Sequence, residues 1–294
     1  MLKNTILIFL FLICSCAKQK IVTPSSALGL KGWRYQLQNL GVRSLKKIED
    51  GDHLLWVIDY SKDGSDDQAF TLTQIKSLKR NNNFICAYLS LGEAEDYRFY
   101  FKNLNRSLLV SANTNWHGNF PVRFWEKEWK EVVQTYLKKI ISAGFDGVFF
   151  DVVDVFHTFK EEKGYAEKMA HLIVDLHKYS LQLNPNFKIF LQNGGDIIHY
   201  LNKDTKELLL AAIQGLSFEG VIFNYQLADL PFLNNEQVEE NMKFYQQQGK
   251  WVFSLEYPKN NQQIDQYINK IKKIKGVFPL ATDKDLKGQY FWDH

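Results

Sequence analysis

The sequence has few cysteines, and their positions leave no pair for a disulfide in the body of the chain. Cys14 and Cys16 lie close to the N-terminus, and Cys86 is alone in the remainder. Disulfides stabilise small exported domains that cannot form a sufficient core. A chain of 294 residues is long enough to bury most of its apolar surface, so we expect its stability to come from a hydrophobic core.

The sequence also lacks the features of metal-binding, nucleotide-binding and nucleic-acid-binding proteins. Its seven histidines include no HExxH motif and no close pair, and no glycine-rich phosphate loop follows an apolar run. The 36 basic and 33 acidic side chains give a formal net charge of only +3, which does not favour a nucleic-acid partner. We therefore expect a protein with no metal site and no cofactor.

The apolar run near the N-terminus is too short to span a membrane. It covers residues 6–13, whereas a spanning helix needs about 20 apolar residues. A basic start, a short apolar run and a small-residue region are typical of a secretory signal. Residues 13–16, ICSC, resemble a bacterial lipobox, in which cleavage leaves a lipid-carrying cysteine. We predict a signal peptide at residues 1–15 and lipidation at Cys16; a plain secretory signal is the alternative.

Residues 16–30 contain many small and turn-forming residues, and we interpret them as a tether. Acyl chains contribute about 0.8 kcal/mol per buried methylene, so two or three chains hold a protein on a membrane without a spanning helix. We therefore predict an exported protein that is attached to the bacterial cell envelope through its N-terminal lipid. Ala17 after the lipidated cysteine is compatible with the outer membrane. A monomer is the default expectation.

From residue 31 onward, short apolar runs alternate with segments of helical periodicity. Eight runs have the length and composition of strands, at residues 33–37, 54–59, 84–91, 147–151, 188–192, 215–219, 251–255 and 277–281. Between them, an apolar face with spacings of three and four covers residues 132–141 and stops before Gly144, a typical helix end. Similar faces cover residues 169–183 and 264–271.

The alternation of eight strands with amphipathic helices predicts a closed barrel. Such alternation is typical of a parallel sheet covered on both faces, and eight units in about 250 residues are typical of a (β/α)8 TIM barrel. We therefore predict a single α/β barrel over residues 31–294. Its first unit is weak, because residues 41–52 are short for a helix. An open doubly wound sheet is the alternative fold.

Carboxylates and amides follow nearly every predicted strand. The strand ends of a TIM barrel and the loops after them form its active-site face. A single acid in such a position is often a helix cap, which is the simpler explanation for Asp63 and Asp283. The set as a whole predicts a binding surface, and it consists of Gln36, Asp59, Glu93, Asp151, Asp154, Gln192, Asn193, Glu219, Glu256 and Asp283.

Two of these acids follow strongly apolar strands. Asp151 ends the segment GVFFD, and Glu219 ends the segment GLSFE. An apolar wall disfavours the ionised form of a carboxyl group and so suits a proton donor. Two carboxylates across a barrel mouth can cleave a glycosidic bond, one by protonating the leaving oxygen and the other as nucleophile or base. We predict that Asp151 and Glu219 are the catalytic pair.

Aromatic side chains near the strand ends are suited to stacking against sugar rings. About half of these residues are expected to pack between barrel and helices instead. The set consists of Trp33, Tyr35, Tyr60, Tyr97, Trp116, Trp125, Tyr225 and Tyr257. From it we predict four substrate-binding residues: Tyr35, Tyr60, Trp125 and Tyr225.

Several segments agree, in order along the chain, with one known family. They are WRYQLQN, VIDYSKDG, AYLSLGEAEDYR, RFWEKEW, GFDGVFFDVVD, LQNGG and FEG. The similarity extends from Trp33 to at least Tyr257, and the combination resembles glycoside hydrolase family 114. That family comprises endo-α-1,4-polygalactosaminidases and many uncharacterised barrel proteins.

The resemblance implies a TIM barrel that cleaves α-1,4-linked galactosamine polymers without a metal. It implies Asp151 as the nucleophile and Glu219 as the acid/base of a retaining reaction. Other positions that match the family's motifs are expected to bind or orient the sugar, and these are Asp59, Glu93, Arg98, Asp154 and Gln192.

Acidic residues in the inferred loops fit a cationic substrate such as unacetylated galactosamine. They are Asp63, Asp66, Asp67, Glu93, Glu95 and Asp96. Solvated loop charges are the simpler explanation, since exposed acids in loops are common. Three alternatives stay open: a non-catalytic polysaccharide-binding lipoprotein on the same barrel, a structural envelope lipoprotein, and an enzyme for another amino-sugar polysaccharide.

Overall fold

The computed structural model describes residues 29–110, 117–223 and 235–291. The predicted signal peptide, the lipidation site at Cys16, most of the predicted tether and Tyr225 lie outside these ranges. Within them, no helix combines the length and the apolar character that a membrane crossing requires.

Eight parallel strands form one sheet, and their order in the sheet is their order along the chain. They are β1 (Gly32–Gln36), β2 (Leu54–Ile58), β3 (Phe84–Ser90), β4 (Gly147–Asp151), β5 (Lys188–Gln192), β6 (Gly215–Glu219), β7 (Trp251–Glu256) and β8 (Val277–Ala281). Each strand begins and ends within one residue of its predicted position. The eight predicted strands are therefore confirmed.

A helix follows each of the first seven strands. The helices are α1 (Val42–Asp50), α2 (Leu72–Leu78), α3 (Lys127–Ala143), α4 (Glu162–Leu183), α5 (Lys203–Ala212), α6 (Asn235–Gln247) and α7 (Asn261–Ile271). The weak first unit does contain a helix, because Ile48 of α1 is completely buried against the barrel. α3 ends at Gly144, whose φ of 93° is the left-handed helix end predicted for this glycine.

β8 lies beside β1 and nearly closes the barrel. Across this seam, the indole Nε1 of Trp33 donates a 3.0 Å hydrogen bond to the carbonyl oxygen of Phe278. The strand order runs from β1 to β8 without reversal, whereas a doubly wound sheet reverses its order at a switch point. The predicted α/β barrel is confirmed, and the open sheet is not the fold.

Aromatic side chains fill the interior of the barrel. Trp33, Phe149 and Phe190 stack in a row, with ring centroids 6.0 Å apart at each step and interplanar angles of 18° and 14°. Phe253 lies 5.1 Å from Trp33, and all four side chains are completely buried. The interior is therefore strongly apolar up to the carboxyl ends of the strands.

The connection between β3 and α3 contains a two-stranded antiparallel ribbon. Its strands are Glu93–Glu95 and Asn119–Pro121, and Glu93 pairs with Pro121. Since the ribbon follows β3 almost directly, it places Glu93 and Glu95 at the carboxyl end of the barrel.

The aromatic stack should make a large contribution to stability. We expect Phe149→Ala to lower the free energy of unfolding by about 3–5 kcal/mol, because it removes the middle ring and leaves a cavity. Urea unfolding followed by circular dichroism measures this loss. Leu208→Ala is the control, since Leu208 is 44% exposed and should cost about 0.5 kcal/mol or less. Equal losses in the two variants would contradict the central role of the stack.

Candidate active site

Asp151 and Glu219 are the last residues of β4 and β6. The strand residues before them are buried, whereas both carboxylates are partly exposed. Side chains alternate along a strand, so Asp151 points to the same side as Phe149, and Glu219 to the same side as Ser217. Both carboxylates therefore lie above the apolar interior, on the face where TIM-barrel active sites are found.

Three side chains form hydrogen bonds with the Glu219 carboxylate. Gln192 Nε2 and Asn193 Nδ2 donate to Oε2 at 3.2 Å and 2.9 Å, and the Tyr257 hydroxyl bonds the same carboxylate. The side-chain oxygen of Asn193 accepts in return from the Glu219 backbone N–H at 3.0 Å. Glu219 is thus held by residues at or directly after the ends of the two neighbouring strands, β5 and β7.

Among the residues that the structure describes, Asp151 has fewer hydrogen-bond donors than Glu219, and its environment is unfavourable for charge. The backbone N–H of Val152 donates to its Oδ1 at 2.8 Å. Burial raises the pKa of Asp151 well above its usual range, and the charges of Glu219, Asp154 and Glu93 add to this increase. Asp151 therefore holds its proton to higher pH than an isolated carboxyl group does.

A histidine and two further acids lie next to this pair. Burial, followed by the charge of Asp196, raises the pKa of Asp154 to about 7. His157 Nε2 lies 2.7 Å from Asp196 Oδ2, and both side chains are almost fully buried. Burial alone would lower the pKa of His157, but the contact with Asp196 and the nearby carboxylates raise it. His157 therefore keeps a proton to higher pH than a free imidazole does.

Glu256 at the end of β7 is completely buried. Its Oε2 accepts hydrogen bonds from the backbone N–H groups of Ile222 at 2.9 Å and Phe223 at 3.4 Å. Burial raises the pKa of Glu256 to about 7, and the charge of Glu219 also raises it. Glu256 thus fixes the start of the loop after β6 and adds an ionisable group close to Glu219.

Three buried tyrosines surround the pair. Burial raises the pKa of Tyr35, Tyr88 and Tyr257 well above the ordinary value, and the charge of Asp151 raises it further in each case. Their hydroxyl groups therefore stay neutral at any physiological pH. A neutral phenol can donate a hydrogen bond to a carboxylate or to a sugar oxygen.

Arg98 joins two acids at the edge of this site. Its Nη1 and Nη2 bind the two oxygens of Asp59 at 2.9 Å and 2.8 Å, and its Nε binds Glu95 at 2.7 Å. All three side chains are buried, and the guanidinium group lies 4.7 Å from the ring centroid of Tyr97. Asp59 and Arg98 are both expected to bind the sugar, and in the structure they bind each other. Their contact with a substrate stays a prediction.

Most of the predicted site residues do come together at the barrel mouth. Electrostatic interactions and hydrogen bonds link Asp151, Asp154, Glu219, Glu93, Glu256, Tyr35, Gln192 and Asn193. Glu93 is buried and accepts a 3.2 Å hydrogen bond from Asn119 of the ribbon. Residues at or near the strand ends thus form one cluster, as expected for a TIM barrel. Whether each of them contacts a substrate stays a prediction.

Three predicted substrate-binding residues have other neighbours. The amide of Gln36 donates to the Ser44 hydroxyl of α1 at 3.1 Å, and Tyr60 packs edge-on against a tyrosine of α3 at 5.3 Å. Trp125 packs 4.7 Å from Tyr165 of α4. Gln36 and Tyr60 each follow an inward-facing residue, so the alternation of side chains turns them toward the helices.

Sequence reasoning did not single out four residues of the site. Tyr88 lies in the middle of β3, and its inward-facing position was the available signal. Asn119 reaches Glu93 through the ribbon. His157 and Asp196 come from the loops after β4 and β5, and no local pattern connects two separate loops.

The donor set at this mouth does not resemble a metal centre. Among residues 29–110, 117–223 and 235–291, no group of three or more histidine, cysteine, aspartate or glutamate side chains is arranged to hold a metal ion. Instead, the arrangement provides two coupled carboxylates, neutral hydroxyl groups and amides. This equipment suits proton transfer and nucleophilic attack at a sugar carbon.

The chain is similar to two uncharacterised proteins. A protein of Methanocaldococcus jannaschii is 33% identical over 273 residues, which cover 86% of this chain and 75% of that protein. A protein of Thermotoga maritima is 30% identical over 300 residues, with coverage of 96% and 89%.

Two solved structures share the fold. The glycoside hydrolase domain of PelA from Pseudomonas aeruginosa has a TM-score of 0.64 and 15% identity, covering 87% of this chain and 95% of that domain. The structure of Aspergillus fumigatus Ega3 in complex with galactosamine has a TM-score of 0.67 and 17% identity, with coverage of 90% and 96%.

A family comparison gives the assignment. The model of glycoside hydrolase family GH114 matches residues 14–294, which is nearly the whole chain. The resemblance seen in the sequence motifs is therefore confirmed. The chain belongs to glycoside hydrolase family 114.

Proposed function

We propose that this protein is a glycosidase that cleaves α-1,4-linked galactosamine-type polysaccharide, with Asp151 and Glu219 as its carboxylate pair. The observation that carries the proposal is the coupling of these two carboxylates at the mouth of an apolar barrel. Membership of a glycoside hydrolase family supports the reaction type. Similarity in fold to Ega3, whose structure contains galactosamine, supports the sugar.

The proposed reaction retains the configuration of the sugar. Asp151 attacks the anomeric carbon while Glu219 protonates the leaving oxygen, which breaks the glycosidic bond and leaves a glycosyl ester on Asp151. Glu219 then removes a proton from water, and the resulting hydroxide displaces Asp151. Both amides bind Oε2 of Glu219, so Oε1 is the oxygen suited to carry this proton.

A cationic substrate would itself help to ionise Asp151. In the free protein, burial and the charge of Glu219 favour a proton on Asp151, whereas attack requires Asp151 to be ionised. An ammonium group on the bound sugar favours ionised carboxylates nearby. A cationic sugar bound with its ammonium group beside Asp151 would therefore favour the ionised form of Asp151, which is the form that attack requires.

Negative charge at the strand ends supports a cationic substrate better than the loop acids do. Asp66 is bonded to Lys139 at 2.9 Å, and Glu95 is bonded to Arg98. By contrast, Asp151, Glu219 and Glu93 interact unfavourably at the mouth. A cationic sugar would reduce this repulsion.

The remaining parts of the proposal concern location and partners. We propose that the protein is exported and attached by lipid at Cys16 to the cell envelope, where its partner is an amino-sugar polysaccharide and it acts as a monomer. The alternative is a binding lipoprotein that uses the same barrel without cleaving its ligand. Both proposals use the same mouth, and only turnover separates them.

Removal of either carboxylate should abolish most of the activity. We expect Asp151→Asn and Glu219→Gln each to reduce release of reducing ends from partially deacetylated galactosamine polymer by at least about 100-fold, because each removes a group used in the transition state. Asp175→Asn is the matched control, since Asp175 pairs with Lys130 between the helices outside the barrel. It should keep full activity.

A panel of other amino-sugar polysaccharides extends this measurement to the choice of substrate. If reducing ends are released from a different polymer, and this release is lost in the same two variants, Asp151 and Glu219 remain the proposed pair and the proposed substrate is replaced. Tight binding with no release from any polymer would replace the enzyme by the binding lipoprotein.

Azide rescue should separate the roles of the two acids. With an aryl galactosaminide that has a good leaving group, we expect Glu219→Ala plus azide to give a glycosyl azide of retained configuration. Asp151→Ala plus azide should give the inverted configuration, because azide then attacks the sugar in place of the nucleophile. NMR of the products distinguishes the anomers. The opposite pattern would show that Glu219 is the nucleophile and Asp151 the acid/base.

Activity should decrease at high pH when the carboxylate pair loses its single proton. Burial and the charge of Glu219 hold this proton to higher pH by raising the pKa of Asp151, and Asp154 contributes in the same direction. We therefore expect Asp154→Asn to move the basic limb of kcat/KM to lower pH. The Asp175→Asn control should leave the limb in place. A shift to higher pH would contradict the coupling.

A further inference from the structure

Val152, directly after the proposed nucleophile, has a backbone conformation that a β-branched residue rarely adopts. Its φ of 57° and ψ of 36° are left-handed. Elsewhere in the described ranges, the non-glycine residues with positive φ are four asparagines, one histidine and Leu286. Asparagine tolerates this region, whereas valine is strained there. The surrounding structure must therefore hold Val152 in place.

Three contacts restrain this turn. The backbone N–H of Leu91 donates a 2.9 Å hydrogen bond to the carbonyl oxygen of Asp151. The Val152 side chain packs against the hydrophobic core between barrel and helices. A Cβ at Gly92 would lie only 2.3 Å from the Val152 carbonyl oxygen, so a glycine is required for the loop after β3 to approach so closely.

The turn determines the positions of several groups in the site. The Val152 N–H donates to Oδ1 of Asp151 at 2.8 Å, and the hydrogen bond from Leu91 fixes the peptide group that carries this N–H. The left-handed backbone of Val152 then turns the chain into the 3-10 helix Val153–Thr158, which carries Asp154 and His157. One residue thus orients the carboxylate before it and the titratable groups after it.

We propose that Val152 is a positioning residue, whose restrained left-handed backbone aims the Asp151 carboxylate at the sugar carbon that it attacks. This inference rests on the proposed function of Asp151. Glycine would adopt the same conformation without strain, but it would also allow many others. A branched side chain packed against the core removes those other conformations. The cost is backbone strain at Val152, and the gain is a fixed direction of the Asp151 carboxylate.

The test compares Val152→Gly with Leu286→Gly. Leu286, with a φ of 53°, is the other aliphatic residue in this conformation within the described ranges, so both variants relieve similar backbone strain. We expect Val152→Gly to lower kcat by about ten- to a hundredfold with little change in KM, because the carboxylate loses its direction. Leu286→Gly should leave kcat unchanged, and circular dichroism should show that both variants are folded.

Titration of Asp151 provides a readout that a purely structural role would not change. The charges that face Asp151 are Glu219, Asp154 and Glu93, and the Val152 N–H is the hydrogen-bond donor that lowers its pKa. In Val152→Gly that bond is held less firmly, so the pKa of Asp151 should rise. Carboxyl ¹³C NMR, with Asp151→Asn for assignment, measures this shift in the absence of any substrate.

The NMR measurement keeps this inference separate from the proposed function. If the protein cleaves no polymer, the proposed function fails, and the titration still decides whether Val152 controls Asp151. Unchanged kcat and an unchanged titration in Val152→Gly would overturn the inference. Val152→Ala, which retains a Cβ but shortens the anchor, should show a smaller effect in the same direction and serves if the glycine variant does not fold.

Discussion

Burial of negative charge above an apolar barrel is the constraint on which the site depends. Asp151 stands above Phe149, the middle ring of the aromatic stack, so the polar contacts of the pair come from the neighbouring strands and loops. At Asp151, burial and the neighbouring carboxylates raise the pKa, so the carboxyl group holds its proton to higher pH than usual. The reactivity of the pair is therefore a property of the barrel interior as much as of the two acids.

The loops after the strands compensate for this burial with fixed donors. Asn193 both donates to Glu219 and accepts from it, and backbone N–H groups after β6 bind Glu256. Arg98 binds both Asp59 and Glu95 at the edge of the mouth, which offsets part of their charge. A buried carboxylate is most costly when it has no partner, so these contacts help many acids to share one small mouth.

The fold and the centre of the site could be predicted from the sequence because they follow from local pattern. Apolar runs locate the strands, and the rule for barrel strands places Asp151 and Glu219 on one face. The direction of Gln36 and Tyr60 could not be obtained in this way, because a shift of one residue reverses every side chain of a strand. The pairing of His157 with Asp196, and of Lys139 of α3 with Asp66, depends on distant segments that meet only in the folded chain.

The seam of the barrel ties the beginning of the folded chain to its end. Trp33 and Phe278 are 245 positions apart, yet one hydrogen bond joins their strands. Neither strand has a complete set of neighbours until the other arrives, so an N-terminal fragment that lacks β8 would expose an open sheet edge and part of the aromatic column. The sheet edges are thus covered only after the whole chain is synthesised, when β8 takes its place between β7 and β1.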